Sequence, residues 1–364
     1  MKFKVIRSKF LEGLKSVQNI VAGKGALPIL QNVLIEVSGK EMKMTTTDLD
    51  ISIRCGCPCE VLEAGSTTLP VKLLFNAINK VAEGEIEIEV DAKERATITA
   101  GNAKFKIAGI SEKEFPRLPK DEEAYVYTIS QPMFKEMLRK VSYAASQDDT
   151  RRTLKGVLLS FKNNKLTMVA TDGRRLALVE NEVEFLESEQ KEIVLPSKAV
   201  LEMQRSLNGE GDLKLSIQKT QISFKMGEIQ IYSKLIEEAY PNYKQVIPKE
   251  ISEGICVERQ LLLDALERAS VMTMDEAHST KLIFSNGKLT VTSAASDIGE
   301  AKDEVAIKYA GEKIEIMFNP SYVMDPLKAI DDDEVFIHLK DGHSPALIKC
   351  NVPFLYVLMP LRIS

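Results

Sequence analysis

The stretch "TMVATDGRRLAL" occupies Thr167–Leu178, and "KMTTTDLDISIR" at Lys43–Arg54 has the same rhythm. In each, a first strand-like run ends on Thr-Asp and a second follows it. Taken alone, Asp-Gly-Arg-Arg after an apolar run reads as a catalytic or phosphate-binding loop. A second copy changes that reading, because internal repetition points to a feature of the fold. A third stretch, "SAASDIG", completes the series: Asp48, Asp172 and Asp297 are separated by 124 and 125 residues.

Two further anchors give the same period. Pro70, Pro196 and Pro320 sit in "TTLPVKLLFNAINKV", "IVLPSKAVLEMQRSL" and "MFNPSYVMDPLKAI", spaced by 126 and 124. The segments "VIRSKFLEGL", "ISQPMFKEML" and "VERQLLLDAL" align Glu12 with Glu136 and Asp264, and Leu14 with Leu138 and Leu266. A repeat of about 125 residues is a domain, not a solenoid unit. Phe115-Pro116 and Tyr240-Pro241, 125 apart, lie in polar, proline-bearing stretches that close the first two copies. The expected domains are 1–120, 121–249 and 250–364.

Each copy has the same internal order. A short strand leads into a helix, whose apolar stripe in the first copy is Phe10, Leu11, Leu14, Val17, Ile20 and Val21. Ser8 and Ser130 are candidate N-caps. A hairpin follows, clearest at Asn286-Gly287. The repeated proline then opens a second helix near its first position, where a missing N–H costs little. More strands finish the copy. The class is α+β, with about two helices and seven or eight strands per copy. The recurring aspartate reads as a turn cap, whereas Gly173-Arg174-Arg175 has no equivalent in the other copies and marks the middle one.

Composition excludes several classes. No run approaches the ~18 apolar residues of a membrane span. The N-terminus "MKFKVIRSKF" alternates basic and apolar residues and reads as a first strand, so a cytoplasmic protein is expected. Cys55, Cys57 and Cys59 form "CGCPC", with spacing that puts all three on one face of a strand. They read as structural thiols in a reducing compartment, with a metal or redox site as the alternative; zinc sites usually pair two such clusters. Only three histidines occur, His278, His338 and His343, and no nucleophile triad, HExxH, P-loop or GxGxxG is present.

The net charge of -5 argues against bulk attraction to nucleic acid. The helical segments 8–25, 70–81, 131–152, 196–206, 259–270 and 320–330 nevertheless carry +7 together, leaving -12 elsewhere. One mildly basic face and an acidic exterior fit that distribution; a merely mixed, solvated set of helix faces is the alternative. Basic loops at Lys24 and Arg151-Arg152 reinforce the first reading. No aromatic interleaving suited to unpaired bases is present, so phosphate contact with duplex is favoured.

These residues together resemble the β subunit of bacterial DNA polymerase III, the sliding-clamp family. The resemblance rests on three copies of about 120 residues, "LPILQNVLIEV", "TDGRRLAL", "YPNYKQVIP" and the terminal "YVLMPLRIS", and it runs the whole length in order. It implies three tandem clamp domains, with helices lining the inner face and antiparallel sheets outside. Two chains would form a head-to-tail homodimer ring around duplex DNA, held by topology, with weak phosphate contacts that permit sliding. The partners implied are duplex DNA, a second copy of the chain, the replicative polymerase, the clamp loader, and repair, translesion and other clamp-motif proteins. No catalysis, cofactor, metal or membrane contact is implied.

By position, the resemblance places a partner-peptide groove at Leu154, Thr171, Gly173, Arg175, Leu176, Pro241, Val246, Asn319, Tyr322, Val357, Met359, Pro360, Leu361 and Arg362. Apolar sockets would take the peptide's anchors, and Arg175 would bond its carbonyls or a carboxylate. Lys24, Gln147, Arg151 and Arg152 fall at DNA-facing loops. Phe105 and Ile107 on an edge strand would meet Val271 and Met272 of the other protomer. The chain departs from the family at Ala277, where an aromatic can stand, at Arg174, where a histidine can stand, and at His343 and Pro345, which replace smaller residues. Arg152 and Thr153 stand where tyrosines can occur. Two rival readings are a metal-dependent nucleotidyl transferase built on Asp48, Asp50 or the Asp331–Glu334 run, and a monomeric scaffold that keeps the groove without a ring.

Overall fold

The computed structural model describes residues 1–21, 27–118, 125–249, 253–272, 279–295 and 299–361. The α+β class stands. Each copy contributes two α-helices: α1 (Arg7–Val17) and α2 (Val71–Lys80), α3 (Gln131–Val141) and α4 (Ser197–Ser206), α5 (Arg259–Ser270) and α6 (Pro320–Ala329). Among the described residues the copies supply nine, eight and eight strands; the first is richer because Glu60–Glu63 and Gly65–Pro70 are separate strands.

The strands are not confined to their own copies, and this determines how the chain packs. It divides into two compact units, residues 1–133 with 201–235, and residues 134–200 with 236–364. In the first unit, Tyr125–Ser130, Asp212–Ile217, Gln221–Met226 and Ile229–Lys234 continue through Ile51–Pro58, Glu41–Thr47 and Asn32–Ser38 to Gly65–Pro70 as one eight-stranded sheet. The join sets Ile231 opposite Ile53 in an antiparallel pair. A second, five-stranded sheet runs Glu60–Glu63, Lys2–Ile6, Glu85–Val90, Arg95–Ala100, Ala103–Ala108, with the last at its edge.

The second unit is built alike. Its eight-stranded sheet orders Lys191–Pro196, Gly156–Lys162, Lys165–Thr171, Arg175–Glu182, Phe354–Leu358, Ala346–Lys349, Glu334–His338 and Ile255–Glu258. Here Leu176 faces Val357 across the join. A four-stranded sheet runs Gly299–Ala306, Lys288–Ala295, Thr280–Ser285, Ile314–Phe318, with Gly299–Ala306 at its edge.

Helical spacing puts Phe10, Leu11, Leu14 and Val17 on the buried face of α1. Leu14 is fully enclosed, so Leu14→Ala would cost about 2–5 kcal/mol. Of the two candidate caps, Ser130 accepts from the Met133 N–H at 3.4 Å. Ser8 does not cap: α1 starts one residue earlier, and the Ser8 N–H donates to Glu83 at 3.0 Å. Arg7 at the same end pairs with Glu83 at 3.1 Å, and these bonds hold the Glu83 carboxyl below its usual range. The strand before α1 turns directly into helix, which leaves that N–H to a carboxylate from the segment after α2.

The repeated aspartate caps a turn. Asp48 Oδ1 accepts from the Asp50 and Ile51 N–H groups at 3.0 and 2.9 Å. Asp172 Oδ1 accepts from Arg174 and Arg175 at 2.9 and 3.1 Å. This Asx turn reverses the chain between two paired strands; Asp297 lies outside the described residues. The cysteine reading needs one correction. Cys55 and Cys57 are buried side by side in Ile51–Pro58, but the strand stops at Pro58, and Cys59 lies beyond it, half-buried. Proline has no N–H to continue the ladder.

Candidate partner groove and strand edges

The middle-copy turn sits within the second unit, where strand Arg175–Glu182 meets the terminal strand Phe354–Leu358. Leu176 and Val357 join Leu158, Val169, Val194 and Leu347 in one buried cluster. Leu178, Ile236, Tyr240, Tyr243, Ile247 and Leu355 pack against it, half-buried. Leu176 and Val357 are therefore floor, sealed beneath other apolar groups, and not sockets open to solvent.

A cavity of about 530 Å³ opens in the same unit, lined by Val246, Ile247, Pro248, Leu339, Leu347 and Met359 among others. Of the expected groove residues, Val246 and Met359 line it and are half out in solvent. Pro241 lines a separate cavity of about 490 Å³ with Ile236, Tyr240 and Tyr243. Ile247, Leu339 and Leu347 are lining residues the sequence did not single out. Leu347 reaches the site because Ala346–Lys349 pairs with the terminal strand, setting Leu347 opposite Val357; only the sheet register shows this. Pro345 also lines the larger cavity, while the His343 N–H donates to Asp341 at 2.8 Å. Ala277 and Arg362 lie outside the described residues.

The remaining groove residues shape the surround. Thr171 Oγ1 donates to the Arg175 carbonyl at 2.6 Å and accepts from the Gly173 N–H at 3.1 Å. Gly173 takes φ +86°, a conformation that favours glycine; the one atom a Cβ would meet, Arg151 Nη1 at 2.9 Å, is the end of a flexible side chain that can shift. Leu154 ends a short 3-10 turn, and its carbonyl accepts from Ser146 at 2.9 Å. Asn319 caps α6 through the Ser321 N–H at 2.9 Å. The Met359 N–H donates to the Arg174 carbonyl at 2.9 Å and the Leu361 N–H to the Met317 carbonyl at 2.8 Å; Pro360 lies between these anchors.

Arg175 departs from its expected role. Its guanidinium, 10% exposed, bonds Asp172 at 3.0 Å, Asp325 of α6, and the Tyr143 carbonyl at 2.7 Å. It also lies over the Tyr322 ring at 4.2 Å from the centroid. Tyr356 in turn donates to the Tyr322 carbonyl at 2.7 Å. Burial opposes the charge of Arg175, but Tyr356, Asp325 and Asp172 more than offset it and raise its pKa. Burial likewise raises the Tyr356 hydroxyl. Three of the five guanidinium donors are thus spent inside the fold, tying the turn to α6.

Of the residues expected to face DNA, Gln147, Arg151 and Arg152 are exposed, and Lys24 lies outside the described residues. Arg151 Nη1 donates to the Asp172 carbonyl at 3.0 Å, which turns that side chain toward the groove. The Arg152 side chain makes no hydrogen bond or ion pair among the described residues and remains the freer cation. The acidic groups proposed for metal chemistry are dispersed over separate tasks. Asp50 pairs with Lys234 at 3.0 Å, Asp331 with Arg139, and Asp332 accepts from the Asn351 N–H at 3.2 Å.

At the sheet edges, Phe105 is half-buried, whereas Ile107 is 4% exposed and belongs to the sheet's own packing. Alternation sends Lys104 and Lys106 outward instead. Val271, at the end of α5, is exposed, and Met272 is half-buried beside it.

Models of the DNA polymerase III beta subunit match the chain three times in succession: the N-terminal domain at residues 1–119, the central domain at 128–242 and the C-terminal domain at 244–362. The chain belongs to the DNA polymerase III beta-subunit family. Its relatives include the beta sliding clamp of Chlamydia muridarum, 34% identical over 100% of this chain and 99% of the relative. The beta sliding clamp of Proteus mirabilis is 29% identical over the full length of both. Solved structures of the DNA polymerase III subunit beta from Pseudomonas aeruginosa and of the sliding clamp from Bacillus subtilis each match with a TM-score of 0.96, at 29% and 26% identity, over 100% of both chains. The chain is thus a DNA-replication clamp subunit of three tandem clamp domains, built of sheets and helices. Among its described residues, no helix is long and apolar enough to cross a membrane.

Proposed function

We propose that two copies of this chain close head to tail into a ring that encircles duplex DNA and tethers the replicative polymerase and other clamp-motif proteins to it. The observation that carries this reading is the pair of open sheet edges. Ala103–Ala108 corresponds by the repeat to Ile229–Lys234 and Phe354–Leu358, and Gly299–Ala306 corresponds to Ile51–Pro58 and Arg175–Glu182. The two internal correspondents pair in register, which is how each copy shares a sheet with the next. The two terminal correspondents are each paired on one side only, and their outer edges have no partner strand among the described residues. Pairing Ala103–Ala108 of one protomer with Gly299–Ala306 of the other repeats the same join. It merges the five- and four-stranded sheets into one of nine strands and removes two aggregation-prone edges. Applied twice, a head-to-tail contact of this kind closes a ring. Each chain then supplies three domains, with boundaries near 120 and 249.

The role is non-catalytic and cytoplasmic. Exposed Lys9, Lys15, Lys72, Lys80, Lys135 and Lys198 on the helices give a mildly basic lining, and Gln147 and Arg152 touch phosphates. Contacts this weak allow sliding, because topology supplies the retention. Partner peptides, including those of the clamp loader and of repair and translesion polymerases, dock at the cavity beside Val246 and Met359. Apolar anchors enter there, with Leu176 and Val357 below them. Thr171, Gly173, Arg175, Asn319 and Tyr322 hold the groove's shape.

The test loads labelled protein onto nicked circular plasmid with a bacterial clamp loader and ATP, removes the loader, and linearises half the sample. Retention on circles with loss from linear DNA is expected. Equal retention on both would mean ordinary binding and reject the ring.

A further inference from the structure

A third cavity, of about 430 Å³, lies within the first unit, lined by Leu49, Asp50, Arg117, Gln221 and Lys234 among others. Its rim is the first-copy turn, wired like the middle one. Thr47 Oγ1 donates to the Ile51 carbonyl at 3.0 Å and accepts from the Leu49 N–H at 3.1 Å. The two turns share the Thr-Asp pair but differ at the three residues after it, the first of which takes positive φ in both. Where the middle copy has Gly173 at φ +86°, the first has Leu49 at φ +81°. The other non-glycine residues with positive φ among those described are Glu94, Asn163 and Asn164, at φ between 54° and 57°, in the ordinary left-handed well. A leucine at +81° is strained; it is held there by the Thr47 and Asp48 hydrogen bonds of the turn, and strained positions of this kind cluster at functional sites. Leu49 gains little from packing in return, since its side chain is 49% exposed at the cavity mouth.

The charges around it are unequal. Lys234 pairs with Asp50 at 3.0 Å, both well exposed, whereas the exposed Arg117 makes no hydrogen bond or ion pair among the described residues. One spare cation is too little to grip a phosphate backbone. The aromatic group of the lining, Tyr232, is 8% exposed and offers no face for a base. We infer that this cavity is a second docking groove, for a short extended peptide of a partner protein that presents an apolar side chain to Leu49 and a carboxylate to Arg117. The volume suits a few peptide residues.

The test uses the full chain and a phage-displayed library of random nonapeptides. The library is first cleared on Arg117→Glu protein, which removes peptides taken by any other groove, and then selected on the unmodified chain. Survivors should share Asp or Glu beside an aliphatic or aromatic residue. Leu49→Asn plays no part in the selection and is the independent readout. By fluorescence anisotropy it should weaken the selected peptides about tenfold, while thermal stability holds or rises, because asparagine tolerates left-handed backbone. An empty selection would overturn the inference, as would survivors without acidic residues or a Leu49→Asn protein that melts several degrees lower. Displacement of the peptides by labelled dT20 at equal affinity would assign the cavity to nucleic acid and also overturn it. None of these outcomes depends on the middle-copy groove, which is unaltered in every variant.

Discussion

Arg175 Nε lies 3.0 Å from Asp172 Oδ2, while Oδ1 of the same carboxylate holds the turn through the Arg174 and Arg175 N–H groups. One aspartate therefore both shapes the reversal and neutralises the cation that anchors it to α6. Replacing Arg175 with alanine strands Asp172 and Asp325 without their partner. Loss of one member of a largely buried pair costs about 3–5 kcal/mol, so urea denaturation should show a drop of that order. Peptide affinity should fall with it, since the groove's rim is no longer fixed.

Removing Met359–Ser364 should abolish binding of partner peptides and leave the dimer intact. Met359 lines the larger cavity, and the terminal segment is tied by its N–H bonds to Arg174 and to Met317, which lies on the edge of the four-stranded sheet opposite Gly299–Ala306. Peptide titration and native mass on the same sample separate the two effects. Unchanged peptide affinity after truncation would sink the groove assignment.

The dimer should respond to charge on the edge strand. Lys104 and Lys106 face outward from Ala103–Ala108, and Glu300, Lys302 and Glu304 face outward from Gly299–Ala306, with Glu304 already paired to Lys288 at 2.9 Å and Lys302 at 3.0 Å. Changing both lysines to glutamate sets like charges across the proposed pairing, which is destabilising. Sedimentation at micromolar concentration should shift from about twice 40.6 kDa toward 40.6 kDa. Adding Glu300→Lys and Glu304→Lys should restore the larger species; a failure of that rescue would argue against this pairing.

Cys55 and Cys57 should be slow toward thiol reagents in the folded protein. Burial pushes each thiol up to about 11, with the neighbouring cysteine adding to the shift. The thiolate is the reactive form, so at pH 8 both should react much faster in urea than natively. Because the folded values are raised, their contribution to stability is complete below the unfolded pKa near 9 and declines as pH climbs toward 11. Denaturation midpoints at pH 8, 9.5 and 10.5 should fall in that order. Native labelling at pH 8 as fast as in urea would show the pair to be accessible.

The sequence by itself determined the threefold repeat, the α+β class and the special standing of the middle copy. Those features are carried by local patterns: the aspartate that must cap a reversal, the proline that opens a helix, the 3.6-residue stripe through Leu14. It also singled out, through the contiguous motifs that carry the family resemblance, Val246 and Met359, which line one cavity. Tertiary structure decided the rest. That Ile229–Lys234 joins Ile51–Pro58 is a pairing across nearly two hundred residues, and no local pattern encodes a register between distant strands. The inward turn of Ile107, the arrival of Leu347 at the cavity and the capture of Arg175 by Asp325 depend on which face each chain segment presents once it is packed. The strain at Leu49 was invisible for the same reason: a leucine in a turn reads as ordinary until the backbone shows that both turns take positive φ at that position.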